Sequence, residues 1–563
     1  MTADDGPRRR RLRPRPLHGG GLVAGVVFAM LAMTPSLLPR DWLFQGLVSG
    51  VSGAIGYGVG VLLAWLLRRS SRWRALLARV DARVPPRASR WVVPALCLAG
   101  ASALLVMLAV AARWQRELTD AMGMPATTTS GWLRAAPVLV LVAAVLIAVA
   151  RGIRLVSRAV ARFLRRRLRL PGVVASVAGA VLVGLGLLVV LNDVVLTRVL
   201  SVVDEVFAAA NTEDHPGVEQ PQDAGRSGSP ASLAAWDTLG REGRRFVARG
   251  PSPEALAASP AGAVADPIRV YAGLDTAEDP AGRAEVAVAE LERTGAFERE
   301  VLLVVTTTGS GWVNEAAVEP LELMYGGDTA TVATQYSYLP SWLSFLVDRV
   351  RAEDEAQALF AAVEARVDAL PPEDRPRLLA YGESLGSFGS ESVYDSLADI
   401  RERTDGVLWV GPPHANEVWR ALVERRDPGT PETAPVYASG LVVRFADETG
   451  DVGVPDAPWE DPRVLYLQHR SDPIVWWGPA LLLERPDWST EPAPDRSGPT
   501  MTWYPFVSFW QLTFDLVNGK SVPDGHGHNY DGQLAAAWAS VAAPDGWDDA
   551  STAQLQGALA ADG

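Results

Sequence analysis

Two regimes of hydrophobic patterning divide the chain. Before about residue 200, apolar residues run together in five long stretches, about 20–38, 43–67, 92–112, 133–150 and 172–195. Each approaches the ~20 residues that a helix needs to cross a hydrocarbon core, and five in succession predict a multi-pass α-helical membrane domain over 1–200. Residues 209–232, AANTEDHPGVEQPQDAGRSGSPAS, are polar and rich in Pro, Gly and Ser. They predict an exposed linker, bounded at 201–233.

Beyond it, short β-rich runs alternate with helical segments. Strands are predicted at IRVYAGL (268–274), REVLLVVTTT (299–308), TATVATQYS (329–337), RLLAYGES (377–384), GVLWVG (406–411) and RVLYLQHR (463–470). Helices are predicted at 234–249, 283–294 and 352–370. Near-continuous apolar strands separated by helices imply a mostly parallel sheet covered by helices, filling 234–550 and leaving a tail at 551–563.

Charge sharpens the division. Before residue 200 there are 27 Arg and 7 acids; after it, 25 basic residues face 58 acids. The loop between the second and third apolar stretches carries Arg68, Arg69, Arg72, Arg74, Arg79, Arg83, Arg87 and Arg90 against Asp81 alone, and 151–169 carries eight Arg and no acid. The alternate loops are poor in Arg. Positive charge stays on the cytoplasmic side, so the N-terminus is expected inside and, after five spans, the acidic C-terminal part outside. A cleaved signal peptide is the rival for the first stretch, but that run is long and no clear cleavage site follows it. Gly46, Gly50, Gly53 and Gly60 are expected to make one smooth helix face for close packing. Residues 151–169 suit a basic helix lying on an anionic leaflet.

Cys97 is the only cysteine, which excludes an intrachain disulfide and a cysteine-based metal site. With no metal constellation, no dinucleotide fingerprint and no basic patch on the acidic part, no cofactor and no nucleic-acid partner are expected. The expected partner is the lipid bilayer; oligomeric state is left open.

Candidate chemistry centres on YGESLGSFGS (381–390), where Ser384 stands between Gly382 and Gly386 at the end of one strand and the start of a helix. Strand, tight turn, helix is the context of a nucleophile elbow, and side chains at the two flanking glycines would clash with the turn. The competing reading is a helix N-cap beside a packing glycine. A serine nucleophile needs a base and an orienting acid. Asp472 follows the strand RVLYLQHR and fits the acid, unless it only caps a turn before Pro473. The polar turn VPDGHGHNYDG (522–532) offers His528 as the base, with His526 as the alternative. Oxyanion donors are expected from Leu385 and from the loop TTTGSGWVN (306–314), with Thr308 and Gly309 as candidates. A phosphate-cradling loop would need a Lys that this segment lacks.

LAMTPSLLPRDWLFQGLVSGVSGAIGYGVG (31–60), WDTLGREGRRFVARGP (236–251), YGESLGS (381–387), SDPIVWW (471–477) and GHGHNY (525–530) together resemble bacterial α/β-hydrolases that carry a multi-span N-terminal domain. The resemblance covers nearly the whole chain. It implies an α/β-hydrolase domain and a serine hydrolase, and says little about substrate. The expectation is a membrane-anchored esterase or lipase acting through an acyl-enzyme on a small-molecule or lipid ester outside the cytoplasm. An envelope acyltransferase with the same triad and a non-catalytic receptor or scaffold on the same fold are the alternatives. The aromatic residues Trp476, Trp477, Trp503, Tyr504, Phe506, Phe509 and Trp510 could cover an acyl pocket, dock the domain on the bilayer, or simply pack a core.

Overall fold

The apolar stretches before residue 200 fold as helices: α1 (Gly19–Leu31), α2 (Trp42–Leu67), α3 (Pro86–Ala121), α4 (Ala135–Leu168) and α5 (Gly172–Val189). The computed structural model describes residues 17–71, 86–126, 128–192, 198, 206–347, 349–491 and 500–562. The basic tail at 8–15 and the stretch 72–85 of the Arg-rich loop lie outside the described residues.

Among the described residues four helices are long and apolar enough to cross a membrane: Trp42–Leu67, Pro94–Ala121, Ser130–Leu168 and Gly172–Asn192. The expected first span is not a fifth. Its helix α1 has 13 residues, about 20 Å at 1.5 Å per residue. The chain then turns away at 32–41, where Pro35 and Pro39 cannot continue a helix. The basic segment 151–169 is not a separate surface helix either. It continues the helix of the preceding apolar stretch without a break, and Arg151 reaches the Tyr57 hydroxyl at 3.2 Å.

The glycines of α2 serve two neighbours, not one. A Cβ on Gly46 would stand 2.6 Å from Val138 Cβ, and one on Gly50 2.7 Å from Val142 Cβ, so these two admit α4. One on Gly56 would stand 2.6 Å from the Ala24 carbonyl of α1.

The second domain is built on seven parallel strands: β1 (Ile268–Ala272), β2 (Val301–Thr306), β3 (Thr329–Thr334), β4 (Arg377–Glu383), β5 (Gly406–Val410), β6 (Val443–Ala446) and β7 (Arg463–Leu467). Their order across the sheet is β1-β3-β2-β4-β5-β7-β6. Both faces are covered, as continuous apolar strands require. Along β2, Leu302 and Val304 enter one apolar cluster while Val301, Leu303 and Val305 enter the other. Six strands lie where the sequence predicts them. The seventh, β6, is four residues long and pairs with β7 at the sheet edge. Its Arg444 is buried because the guanidinium donates to the Val452 and Ala457 carbonyls.

The helices of this domain include α6 (Pro280–Thr294), α7 (Arg349–Asp368), α8 (Leu385–Glu391), α9 (Leu397–Arg403), α10 (Glu417–Glu424), α11 (Val507–Asp515) and α12 (Leu534–Ala542), of which α6, α7, α8 and α12 pack against the strands. Local signals set their ends. In α6, Asp279 accepts from the Gly282 N–H, Pro280 occupies the first turn, and Gly295 closes the helix at φ 71°.

The segment expected as an exposed linker is instead part of this domain. Ser227 N–H donates to the Arg269 carbonyl of β1, and Arg269 N–H to the Gly225 carbonyl, so 225–227 extends the sheet edge. Of the aromatic group after residue 500, Tyr504 and Trp510 pack against Ala32 and Val48 of the N-terminal region, and Trp503 and Phe509 against the apolar core of this domain. Val507 of α11 is buried with Ala32 and Val48, and the Phe514 ring lies 6.3 Å from Phe44.

Candidate active site

The carboxyl ends of parallel strands leave a crevice where the sheet reverses its winding, the usual place for a ligand in such sheets. Here β4 ends in the turn that holds Ser384. The serine backbone sits at φ 57°, ψ −125°, a conformation that side chains other than glycine rarely adopt. Two glycines permit it. A Cβ on Gly382 would stand 2.7 Å from Ser387 Cα, and one on Gly386 would collide with the Thr306 carbonyl and lie 3.2 Å from that of Thr307. The helix α8 can therefore press against both β4 and the end of β2. It stops at Glu391, and a second short helix, α9, follows. Ser384 makes no side-chain cap to α8, which removes the main support for the N-cap reading.

Asp472 and His528 come together directly. Asp472 Oδ2 accepts from His528 Nδ1 at 2.6 Å, and both side chains are buried. The other oxygen accepts the Ile474 N–H at 2.8 Å, so the carboxylate both caps a turn and orients the imidazole. Nδ1–H therefore points at the carboxylate, and Nε2 is left buried with no hydrogen-bond partner among the described residues. The connection to Ser384 runs through β5. Ser384 N–H donates to the Val410 carbonyl, and the next residue, Gly411, lies against the imidazole: a Cβ there would stand 2.6 Å from His528 Nδ1. Ser384 Oγ and His528 Nε2 are not hydrogen-bonded to each other in this geometry. His526 is turned into a bridge with Asn529 on the far side of Gly527.

The expected oxyanion donors divide. The Leu385 N–H, first in α8, has no acceptor among the described residues. The two loop amides are engaged: Thr308 N–H donates to the Trp312 carbonyl at 3.1 Å and Gly309 N–H to the Tyr336 hydroxyl at 2.7 Å. Both are held by the loop's own fold, so in this geometry neither is open to a substrate oxygen.

Several residues of the site were not singled out by sequence reasoning. Tyr530 donates to Asp472 Oδ2 at 2.8 Å and accepts the His469 N–H, while its ring stacks on His469 at 3.9 Å. In sequence it stands two residues after His528, within GHGHNY. Gly411 gave no signal beyond a glycine after a strand. Glu383, beside the serine, forms an ion pair with Lys520 at 2.7 Å, and Asn314 joins it to Asp531. Burial alone would raise the Glu383 carboxyl; Lys520, His528 and the hydrogen bonds outweigh it, and its pKa falls below the ordinary glutamate value. Three loops are thereby tied at the site: those carrying Asn314, Ser384 and His528. Among the described residues no group of His, Cys, Asp and Glu is arranged to hold a metal.

Residues 268–555 match the model of an alpha/beta-hydrolase family, and residues 33–251 match the N-terminal model of the same family. The chain belongs to the alpha/beta-hydrolase family. Neither a curated protein nor a solved structure matches it. The family model spans every strand of the hydrolase domain and all three of Ser384, Asp472 and His528.

Proposed function

We propose that this alpha/beta-hydrolase is a membrane-anchored serine hydrolase that cleaves a lipid ester through an acyl-enzyme on Ser384. The observation that carries the reading is the buried Asp472–His528 pair, 2.6 Å apart, with Nε2 unpartnered among the described residues, together with a serine held at φ 57° whose N–H bonds Val410, the residue before the Gly411 that lies against the imidazole. Nε2 takes the Ser384 hydroxyl proton as Oγ attacks the ester carbonyl, and Asp472 stabilises the imidazolium that forms. The Leu385 N–H donates to the developing oxyanion. Nε2–H then protonates the leaving alkoxide. Water, activated by the same nitrogen, releases the acid and restores the serine.

A lipid is favoured by the surroundings of the nucleophile. Leu385 is buried with Tyr336 and Ala352 beside Phe345 and Phe388. From Phe345 an aromatic run passes to Trp477 (6.0 Å), Phe509 (5.4 Å) and Trp510 (5.3 Å), and Trp510 packs with Ala32 and Val48 of the membrane helices. An acyl chain would meet apolar surface along that route. The hydrolase domain sits at the end of α2 opposite Arg68 and Arg69, about 39 Å away along 26 residues of helix. With those arginines cytoplasmic, the active site is extracytoplasmic.

Purified protein in nanodiscs should release free acid from ester substrates, faster as the acyl chain lengthens, and Ser384→Ala should abolish it. Acyl product appearing on an added alcohol, with little free acid, would make the enzyme an acyltransferase. Equal turnover by wild type and a folded Ser384→Ala would refute the reading.

A further inference from the structure

The segment 34–40, which joins α1 to α2, is buried although it is neither helix nor strand. Leu37 and Leu38 are 2% and 0% exposed and belong to the same apolar cluster as Trp476, Leu512 and Val522 of the hydrolase domain. Leu38 Cδ2 lies 3.3 Å from where a Cβ on Gly527 would stand, and Gly527 immediately precedes the base His528. Arg40 supplies a second tie. Its Nε donates to Asp515 Oδ1 at 2.6 Å, with both side chains wholly buried, while its own N–H donates to Gln115 of α3. Gln511, one turn earlier on α11, donates to the Thr34 carbonyl at 3.0 Å.

Asp515 ends α11, and the turn Leu516–Asn518 leads straight to Gly519. The Gly519 carbonyl accepts the His528 N–H at 2.8 Å. The backbone of the base therefore hangs on a residue four positions past the buried ion pair. A buried carboxylate and guanidinium tolerate one arrangement well, whereas either left alone is strongly destabilising, so such a pair can fix a register between two domains.

We infer that residues 34–40 of the membrane domain position His528, so that Ser384 is activated only when the hydrolase domain is seated on the membrane helices. Leu38 and Arg40 are positioning residues: neither touches the reacting atoms, and each acts through the 519–529 loop. The inference rests on the serine-hydrolase reading for its consequence, but its structural content can be tested without turnover.

The test uses full-length protein in nanodiscs, with Arg40→Gln, Asp515→Asn, the double variant and Leu38→Ala. Amide hydrogen exchange is followed across the chain, and the rate of fluorophosphonate labelling of Ser384 is measured in parallel. Arg40→Gln and Leu38→Ala should each accelerate exchange in 519–529 while β2 and β4 stay protected. Both should slow labelling about a hundredfold, the usual cost of misplacing a catalytic group by about 1 Å. The double variant should recover part of the rate lost by either single change, because no lone charge stays buried. Wild-type exchange in 519–529, or loosened exchange there with wild-type labelling, would overturn the inference. Exchange raised uniformly over the whole domain would also overturn it, since that is general destabilisation. If wild-type Ser384 never labels while 519–529 still loosens in Arg40→Gln, the coupling stands and the hydrolase reading falls.

Discussion

Gly411→Ala gives the sharpest separation of catalytic geometry from stability. Gly411 has φ 53°, where an alanine costs about 1–2 kcal/mol of backbone strain. The added methyl would stand 2.6 Å from His528 Nδ1, closer still to Cε1, and 3.1 Å from Asp472 Oδ2. Comfortable contacts between such atoms are about 3.5 Å, so the imidazole must retreat by about 1 Å. That retreat breaks a pair now 2.6 Å apart. A misplacement of this size costs about 10²-fold in rate, equivalent to ~2.7 kcal/mol of transition-state stabilisation. The assay is kcat/KM on a chromogenic ester beside the thermal unfolding midpoint. Gly429→Ala is the control: it has φ 89° and nothing within 4 Å of its Cβ position, so it should show backbone strain with unchanged kcat/KM. A Gly411→Ala enzyme with kcat/KM like that of the control would refute the placement of His528 against β5.

His528→Ala should lower turnover by several orders of magnitude, as loss of a triad member does, while His526→Ala should have a mild effect; the reverse ranking in steady-state assays would move the base to His526. Burial pushes the Glu391 carboxyl up to about 7. Between about pH 4.5 and 7 the unfolded chain has lost that proton and the folded one keeps it, so stability falls by roughly 3 kcal/mol as pH rises through this window and is level above it. Unfolding midpoints at pH 5 and pH 7 should therefore differ less in Glu391→Gln than in wild type, and equal differences would contradict the raised value. In a Cys97→Ala background, a cysteine at the exposed Glu219 should react with an impermeant thiol reagent on intact cells and one at Ser71 should not; the opposite pattern would invert the orientation.

How far these features can be read without coordinates depends on how local their causes are. Buried parallel strands must be apolar throughout, so six of them are visible as runs such as VLLVV, while VRFA hides behind Arg444, whose guanidinium is satisfied by three backbone carbonyls. The elbow is visible because its demands fall within five residues, Gly382 to Gly386. The candidate acid Asp472 and candidate base His528 follow from chain order and from the strand and helix beside them. Hydropathy alone overcounts the spans, because 32–38 is apolar enough to join α1 yet leaves the helix to enter the hydrolase core. The engagement of Gly309 N–H depends on Tyr336, and the Arg40–Asp515 pair joins positions 475 residues apart. No local pattern announces contacts of that kind.

The most direct measurement of the central claim is labelling of the folded protein with a fluorophosphonate, read by peptide mapping. A serine activated by His528 should carry the phosphonyl group at Ser384, in native but not denatured protein. Ser384→Ala should abolish labelling and keep the fold, and combining it with His528→Ala should lower residual turnover little further, because triad members act as a unit. Native protein that leaves Ser384 unmodified, or a folded Ser384→Ala variant that labels and turns over like wild type, would contradict the account.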